Sequence, residues 1–161
     1  MPHLTRPNPE NDYEQTVFDN IREHGWHCTS VGGGDDTPPF SYTIGLFDTF
    51  GHPELVIFGF DLKLAHGILS IVARAAKTGR PFDLDQACDK LLDNYSCVFV
   101  EVPHVHYVDH VLSACWYYKN EKFPLYQIVW PSLEGHYPWH PDASEDLLAA
   151  QPILGKYTGG T

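Results

Sequence analysis

FSYTIGLFDTFGHPELVIFGF, residues 40–60, decides how this chain is read. Its two halves, FSYTIGLF and ELVIFGF, are dense in β-branched and aromatic residues, and the intervening DTFGHP carries the Gly and Pro that punctuate a turn. An antiparallel strand pair is the expectation. Phe40, Tyr42, Ile44 and Leu46 alternate with Ser41, Thr43 and Gly45 along the first half, so side chains of two kinds face opposite ways. A glycine inside a strand weakens it unless something approaches closely. Gly45 therefore marks a bulge, a packing contact or the place where a ligand lies over the backbone.

Working outward, Tyr13, Val17, Phe18 and Ile21 recur at helical spacing in NDYEQTVFDNIREHG, and Gly25 is placed to end that helix. WHCTSV reads as a short strand and GGGDDTPP as a loop. Downstream, Asp61 caps a helix from Leu62 to Thr78 with an apolar stripe of Leu64, Ile68, Ile71, Val72 and Ala75, stopped by Gly79 and Pro81. A second short helix is expected over residues 85–93. YSCVFVEV and PLYQIVW are strands, HVHYVDHVLSACWYYKN between them is helical, and a short acidic helix is expected near Glu145 to Ala150. The order α, β, β, β, α, α, β, α, β predicts an α+β single domain, a mostly antiparallel sheet of about five strands with helices packed on one side. Residues 1–9, with three prolines, are expected to be a mobile lead, 10–157 the globular domain and 158–161 a flexible tail.

The chain has 161 residues and a formal net charge of −11. Such a field repels phosphate backbones and anionic lipid, so nucleic acid and membrane are not expected partners, whereas a small molecule or a basic protein is. The four cysteines form no Cys-x-x-Cys pair and are expected to be reduced. With no apolar signal core at the N-terminus, the expected location is cytoplasmic.

HVHYVDH, residues 104–110, gathers three histidines and an aspartate. At about 100° per helical residue, Val108, Val111, Leu112 and Cys115 share the core arc while His106 and His110 share a polar one, and His104 points elsewhere. His106 and His110 have the i, i+4 spacing that lets two imidazoles reach one metal, but the glutamate of the zinc-protease helix is replaced by Tyr107. They remain weak metal candidates whose third ligand would come from His24, His27 or His136. A solvated helix face, or a single histidine acting as acid or base, are the competing readings.

GGGDD at 32–36 runs into acids and prolines rather than a helix N-terminus, which disfavours a phosphate loop. His27 and Cys28 are neighbours on a strand, hence on opposite faces, so they make no thiolate–imidazole pair. Gln127, Trp130, Tyr137 and Trp139 cluster near one strand end, able to stack on a planar ligand or to close a core, and the Pro-rich loop carrying them is expected to fold back as a lid.

HGW at 24–26, PPFSYTIGL at 38–46, HPELVIFG at 52–59, VPHVHY at 102–107, QIVWP at 127–131, GHYPW at 135–139 and QPILG at 151–155 follow one another in an order that resembles a bacterial family known as domain of unknown function 4262. The resemblance implies a compact α+β domain and picks out Tyr42, Gly45, Glu54, His106, Gln127, Trp130 and Trp139. It implies no activity. Ser132 stands where the family often has an acid. The combined expectation is a ligand pocket where FSYTIGL, the His106 helix and the segment from QIVWP to GHYPW converge. There Tyr42, His106 and Gln127 would supply polar contacts, Trp130 and Trp139 ring faces, and Gly45 room, with His106 as the catalytic candidate for proton transfer. Binding and catalysis both stay open, and no motif specifies a cofactor. Alternatives are an acidic immunity-like inhibitor of a basic protein, a flavin-binding reductase-like barrel or a metal-dependent enzyme.

Overall fold

Phe40–Ile44 (β2) and Glu54–Phe58 (β3) form the expected antiparallel pair, with Tyr42 opposite Val56, in a computed structural model that describes residues 6–120 and 122–158. Their connection is more than a turn. Gly45 adopts φ 109° and starts a one-turn helix, Leu46–Phe50 (α2), that ends at Gly51. A Cβ on Gly45 would lie 2.9 Å from Ile21 and 3.1 Å from the Gly25 carbonyl, so the close approach there is made by the chain's own first helix.

That helix, Asp12–His24 (α1), is capped by Asn11, whose side chain accepts from the Glu14 amide, and by left-handed Gly25. His27–Val31 (β1) then pairs with β2. Asp61 caps Leu62–Lys77 (α3) as its sequence demands. The segment expected to form a helix over 85–93 instead contributes a strand, Cys88–Leu92 (β4), hairpinned through left-handed Asn94 to Tyr95–Glu101 (β5). Cys88 and Leu91 are buried by that arrangement, so tertiary pairing overrides the local helical spacing.

The last strand, Leu125–Val129 (β6), inserts between β3 and β5 to give the order β1-β2-β3-β6-β5-β4. The sheet therefore has six strands rather than five, and it is mixed. The chain crosses over through α3 and the β4–β5 hairpin before returning beside β3, which makes β3–β6 parallel and every other pairing antiparallel. It is also an open sheet with β1 and β4 at its edges, not the barrel of the flavin alternative.

Helices cover both faces, correcting the one-sided expectation. Tyr42, Ile44, Val56, Phe58 and Leu125 pack under Val17 of α1 and around Val111, Ala114 and Cys115. Leu55, Ile57, Phe99 and Ile128 pack under Ala65, Ile68, Leu69 and Val72 of α3. Alternation along strands buried on both sides makes two cores. The buried stripe of α3 is rotated from the expected one, leaving Leu64 and Ile71 exposed.

HVHYVDHVLSACWYYKN is not one helix. His104–His106 forms a 3-10 turn, Tyr107–His110 (α4) a single α turn and Leu112–Tyr117 (α5) a short helix, with Val111 between them at φ −119° and ψ 50°. That break resets the helical phase, so Val108 and Leu112, expected in the core, are each 62% exposed while Val111 is fully buried.

Glu145–Ala150 (α6), capped by Ser144, is where the sequence placed it. Beyond it residues 151–157 run as a strap over Val98, Val100 and Val129, which also receive Tyr137 from the loop after β6. Gly155 is required there, since a Cβ would sit 2.1 Å from the Glu101 carbonyl. Arg6, within the expected lead, forks onto Asp48 at 3.1 and 2.7 Å and lies over the rings of Tyr117 and Tyr118. Residues 1–5 of that lead, and 159–161 of the expected tail, fall outside the described residues. Among the described residues no helix is long and apolar enough to cross a membrane.

Candidate functional site

Polar side chains inside this fold divide into those whose partners are supplied by the chain and those whose partners are not. Glu54 heads the first group. It is fully buried, and Thr43 Oγ1, the Gly45, Leu46 and Phe47 amides and the Tyr118 hydroxyl all donate to its two oxygens. Burial pushes the carboxyl up, while these donors pull it back. We read it as the carboxylate, because every donor arrives with its own hydrogen. Thr43 accepts from Leu55 N, and Tyr118 accepts from Asp48 N, which fixes their hydroxyl hydrogens on Glu54. Glu54 thus caps α2 and joins β2, β3 and α5.

Gln127 and Gln151 do the same for the strap. Gln127 Nε2 donates to Pro152 O at 2.8 Å and its Oε1 accepts from Leu154 N at 3.0 Å. Gln151 answers from the other side, accepting from Trp130 N and donating to Trp130 O, both at 2.8 Å. Trp130 donates its indole N–H to Phe58 O and stacks on Phe60 at 4.5 Å.

Of the residues singled out by sequence, Tyr42 and Gln127 share one row across the sheet, through Val56 between them. Tyr42 is buried, its hydroxyl accepts from Ser113 N at 3.2 Å, and burial pushes it up to about 12. Gly45 faces α1, Trp130 the β3 carbonyl, and Trp139, 43% exposed, stacks between Tyr137 and Tyr157. His106 is half-buried on the 3-10 turn. His110 sets its ring edge-on to Phe40 and Phe58, and burial holds it below the ordinary histidine range, with Asp109 opposing and His106 reinforcing that shift. Among the described residues, no third donor joins His106 and His110.

In the second group, among the described residues, His52 Nε2 is without a partner in the connection before β3, and His27 Nε2 is without one at the free edge of β1. A cleft of about 490 Å³ opens there between α1 and α3. Trp26, His27 and Cys28 of the β1 edge form its floor, Asn20 and His24 come from α1, and His66, Ser70, Arg74 and Lys77 from α3. The α3 residues recur at three- and four-residue intervals, which puts them on one side of the helix. The Trp26 and His66 rings stack at 5.6 Å and 22°. Neither Arg74 nor Lys77 forms an ion pair among the described residues, and no carboxylate lines the cleft, although Glu23 reaches His24 at 3.9 Å from outside.

His27 is 92% removed from solvent, with 8% exposed. Asn20 Nδ2 donates to its Nδ1 at 2.9 Å, which leaves the ring proton on Nε2. That N–H has no acceptor among the described residues. Burial drops His27 to about 4, so the ring is neutral at pH 7. An imidazole N–H, two free cations and a stacked ring face can bind an anion carried on a planar group.

No spacing in the sequence joins His24, Trp26 and His27 to His66, Ser70, Arg74 and Lys77. The available signal was the polar stripe on α3 opposite its apolar one. No curated protein and no solved structure matches the chain. A family model described as a domain of unknown function, DUF4262, matches residues 20–144, which takes in α1 from Asn20 and the whole sheet. The chain belongs to that family.

Proposed function

We propose that this domain binds a small anionic ligand bearing a planar ring in the cleft at the β1 edge. The observation that carries the reading is the pairing state of Arg74 and Lys77. A chain of net charge −11 holds two cations that have no carboxylate partner among the described residues, on the rim of a concave, ring-floored site. Both residues also lie in the last turn of α3, where they complement the negative end of the helix dipole. That role accounts for their charge but not for the cleft before them, whose volume is in the range of small-molecule sites.

In this reading Arg74 and Lys77 neutralise the ligand's charge, the second Asn20 amide hydrogen offers a hydrogen bond at the wall, and His27 Nε2–H gains an acceptor, while the Ser70 hydroxyl keeps its bond to His66 O. The stacked Trp26 and His66 rings present an aromatic face to the planar group. The reading calls for binding; no nucleophile stands activated there, because burial pushes the Cys28 thiol up.

The test is amide and indole NMR of the protein titrated with phenyl phosphate, benzoate and neutral benzamide. Shifts confined to residues 20, 24–28 and 66–77, strongest for phenyl phosphate and absent for benzamide, are expected. Arg74→Gln/Lys77→Gln should weaken phenyl phosphate at least tenfold. Benzamide binding as well as benzoate, or shifts mapping elsewhere, would remove the proposal.

A further inference from the structure

We propose that His136, His140 and Asp142, in the loop after β6, bind one divalent transition-metal ion of the zinc class. Each offers a donor atom, and the three atoms lie within 4.8 Å of one another. The His136 and His140 rings are stacked, 3.9 Å between centroids and 6° from parallel. Two imidazoles and one carboxylate are the donors such ions take, and they leave a fourth position for water. This site is independent of the cleft at β1.

Metal–nitrogen bonds of about 2.1 Å in a tetrahedron put ligand atoms about 3.4 Å apart, so the trio has to draw in by about an ångström. Two adjustments accomplish this. The parallel rings hinge until their in-plane lone pairs meet at the ion, which ends the stack. The Asp142 amide, which donates to His140 Nδ1 at 2.9 Å, is displaced. Either the ion takes Nδ1 directly, or the ring proton moves from Nε2 to Nδ1 and the ion takes Nε2. One hydrogen bond between exposed residues is lost for a coordinate bond.

The backbone beneath the trio is already held. Ser132 N donates to His136 O at 2.8 Å, Ser132 Oγ accepts from His136 N at 3.1 Å, and His140 N donates to Tyr137 O at 2.9 Å. Tyr137 in turn anchors the loop through its hydroxyl to Ser96 O at 2.7 Å. The side chains therefore close on a fixed frame, with little loop ordering left to oppose binding. A site of two neutral imidazoles and one carboxylate leaves the bound ion a net positive charge, which the acidic chain favours.

The experiment is titration of the metal-free full chain with Co(II), read by its visible ligand-field absorption, and with Zn(II), read by calorimetry. One equivalent of each should bind, Co(II) should give the intense band of a tetrahedral site, and the stacked imidazole proton shifts should change together. His140→Ala and Asp142→Asn should each weaken Zn(II) at least tenfold with the amide spectrum otherwise unchanged. His106→Ala/His110→Ala, which removes the other histidine pair at i, i+4 spacing, should leave binding intact. Binding that survives both loop variants, that disappears with the His106/His110 variant, or that is absent at millimolar Zn(II) overturns the assignment.

Discussion

Glu54 and His27 sit two strands apart in the same sheet, one at its centre and one at its edge, and the chain treats them in opposite ways. Around Glu54 every lone pair that geometry allows is filled by a donor from β2, α2 or α5. Around His27 one ring nitrogen is filled and the other has no hydrogen-bond partner among the described residues, with two cations on the rim that form no ion pair among those residues. A buried polar group that the fold completes is part of the fold. One that it leaves incomplete is destabilising unless something else completes it. The contrast teaches where to look for a ligand in this molecule, and four interventions test it.

The largest effect on stability belongs to Glu54. Replacing it with Gln keeps the shape but turns one acceptor oxygen into an NH₂ that faces the Gly45 and Phe47 amides or the Thr43 hydroxyl. We expect Glu54→Gln to lose about 3 kcal/mol, the scale of breaking a buried charged network from one side. The check is a urea midpoint that falls at unchanged slope. A loss below about 1 kcal/mol would mean that the donors do not act together, and the contrast would collapse.

His27 comes next, through pH. Its folded value of about 4 lies below the ordinary 6.5, so between those values the unfolded chain takes a proton that the folded chain refuses. Stability is therefore full above pH 6.5 and declines as the pH falls toward 4. With solvent screening allowed for, the decline amounts to about 2 kcal/mol. His52 and His110 are also held low by burial and slope the same way, so the measurement is the difference between wild type and His27→Leu. The variant's urea-derived stability should fall less steeply over that window; parallel curves would show that His27 is not the buried neutral ring described here.

How much of this was legible in the sequence follows from the range of each interaction. Helix α1 with Asn11 and Gly25, α3 with Asp61, and the β2–β3 pair were readable because caps, turns and periodicity act over a few residues. β4 was not, since Cys88 and Leu91 are apolar at a spacing that a helix also allows and only pairing with Cys97 and Tyr95 decides. The phase of α5 was lost at Val111, whose irregular backbone carries no Gly or Pro to announce it. Gln127 was noticed, but its partners at Pro152 and Leu154 lie 25 and 27 residues away, where spacing has no meaning. His136 and His140 share the i, i+4 spacing that drew notice to His106 and His110, in a Pro-rich loop where helical geometry gives no guidance. The sheet edge was invisible for the same reason, because a strand's place in a sheet is a property of all the strands together.

The zinc-class trio offers an intermediate case: His140 Nδ1 already has a partner, but one that exposed geometry allows to leave. His140→Ala without metal should shift the thermal midpoint by less than about 2 °C, since a surface loop contact of this kind contributes little. With Zn(II) saturating, wild type alone should be stabilised, as expected for a ligand that binds only the folded chain. Stabilisation of the variant to the same extent would move the metal away from this loop.

The smallest stability effect and the largest binding effect should coincide at Arg74 and Lys77. Their charges face solvent and the end of α3, so Arg74→Gln/Lys77→Gln should cost less than about 1 kcal/mol in the absence of ligand, most of it from the helix dipole. Phenyl phosphate affinity should nevertheless fall at least tenfold, about 1.4 kcal/mol or more. Glu54→Gln provides the opposite signature, lowering stability far more than it lowers intrinsic affinity at temperatures where the variant is folded. If both variants lost binding only in proportion to lost stability, the cations would be helix-end decoration and the cleft a surface depression. A double variant that folds like wild type and no longer recognises the anion separates the two cases, because only an incomplete site has something to lose without the fold losing it too.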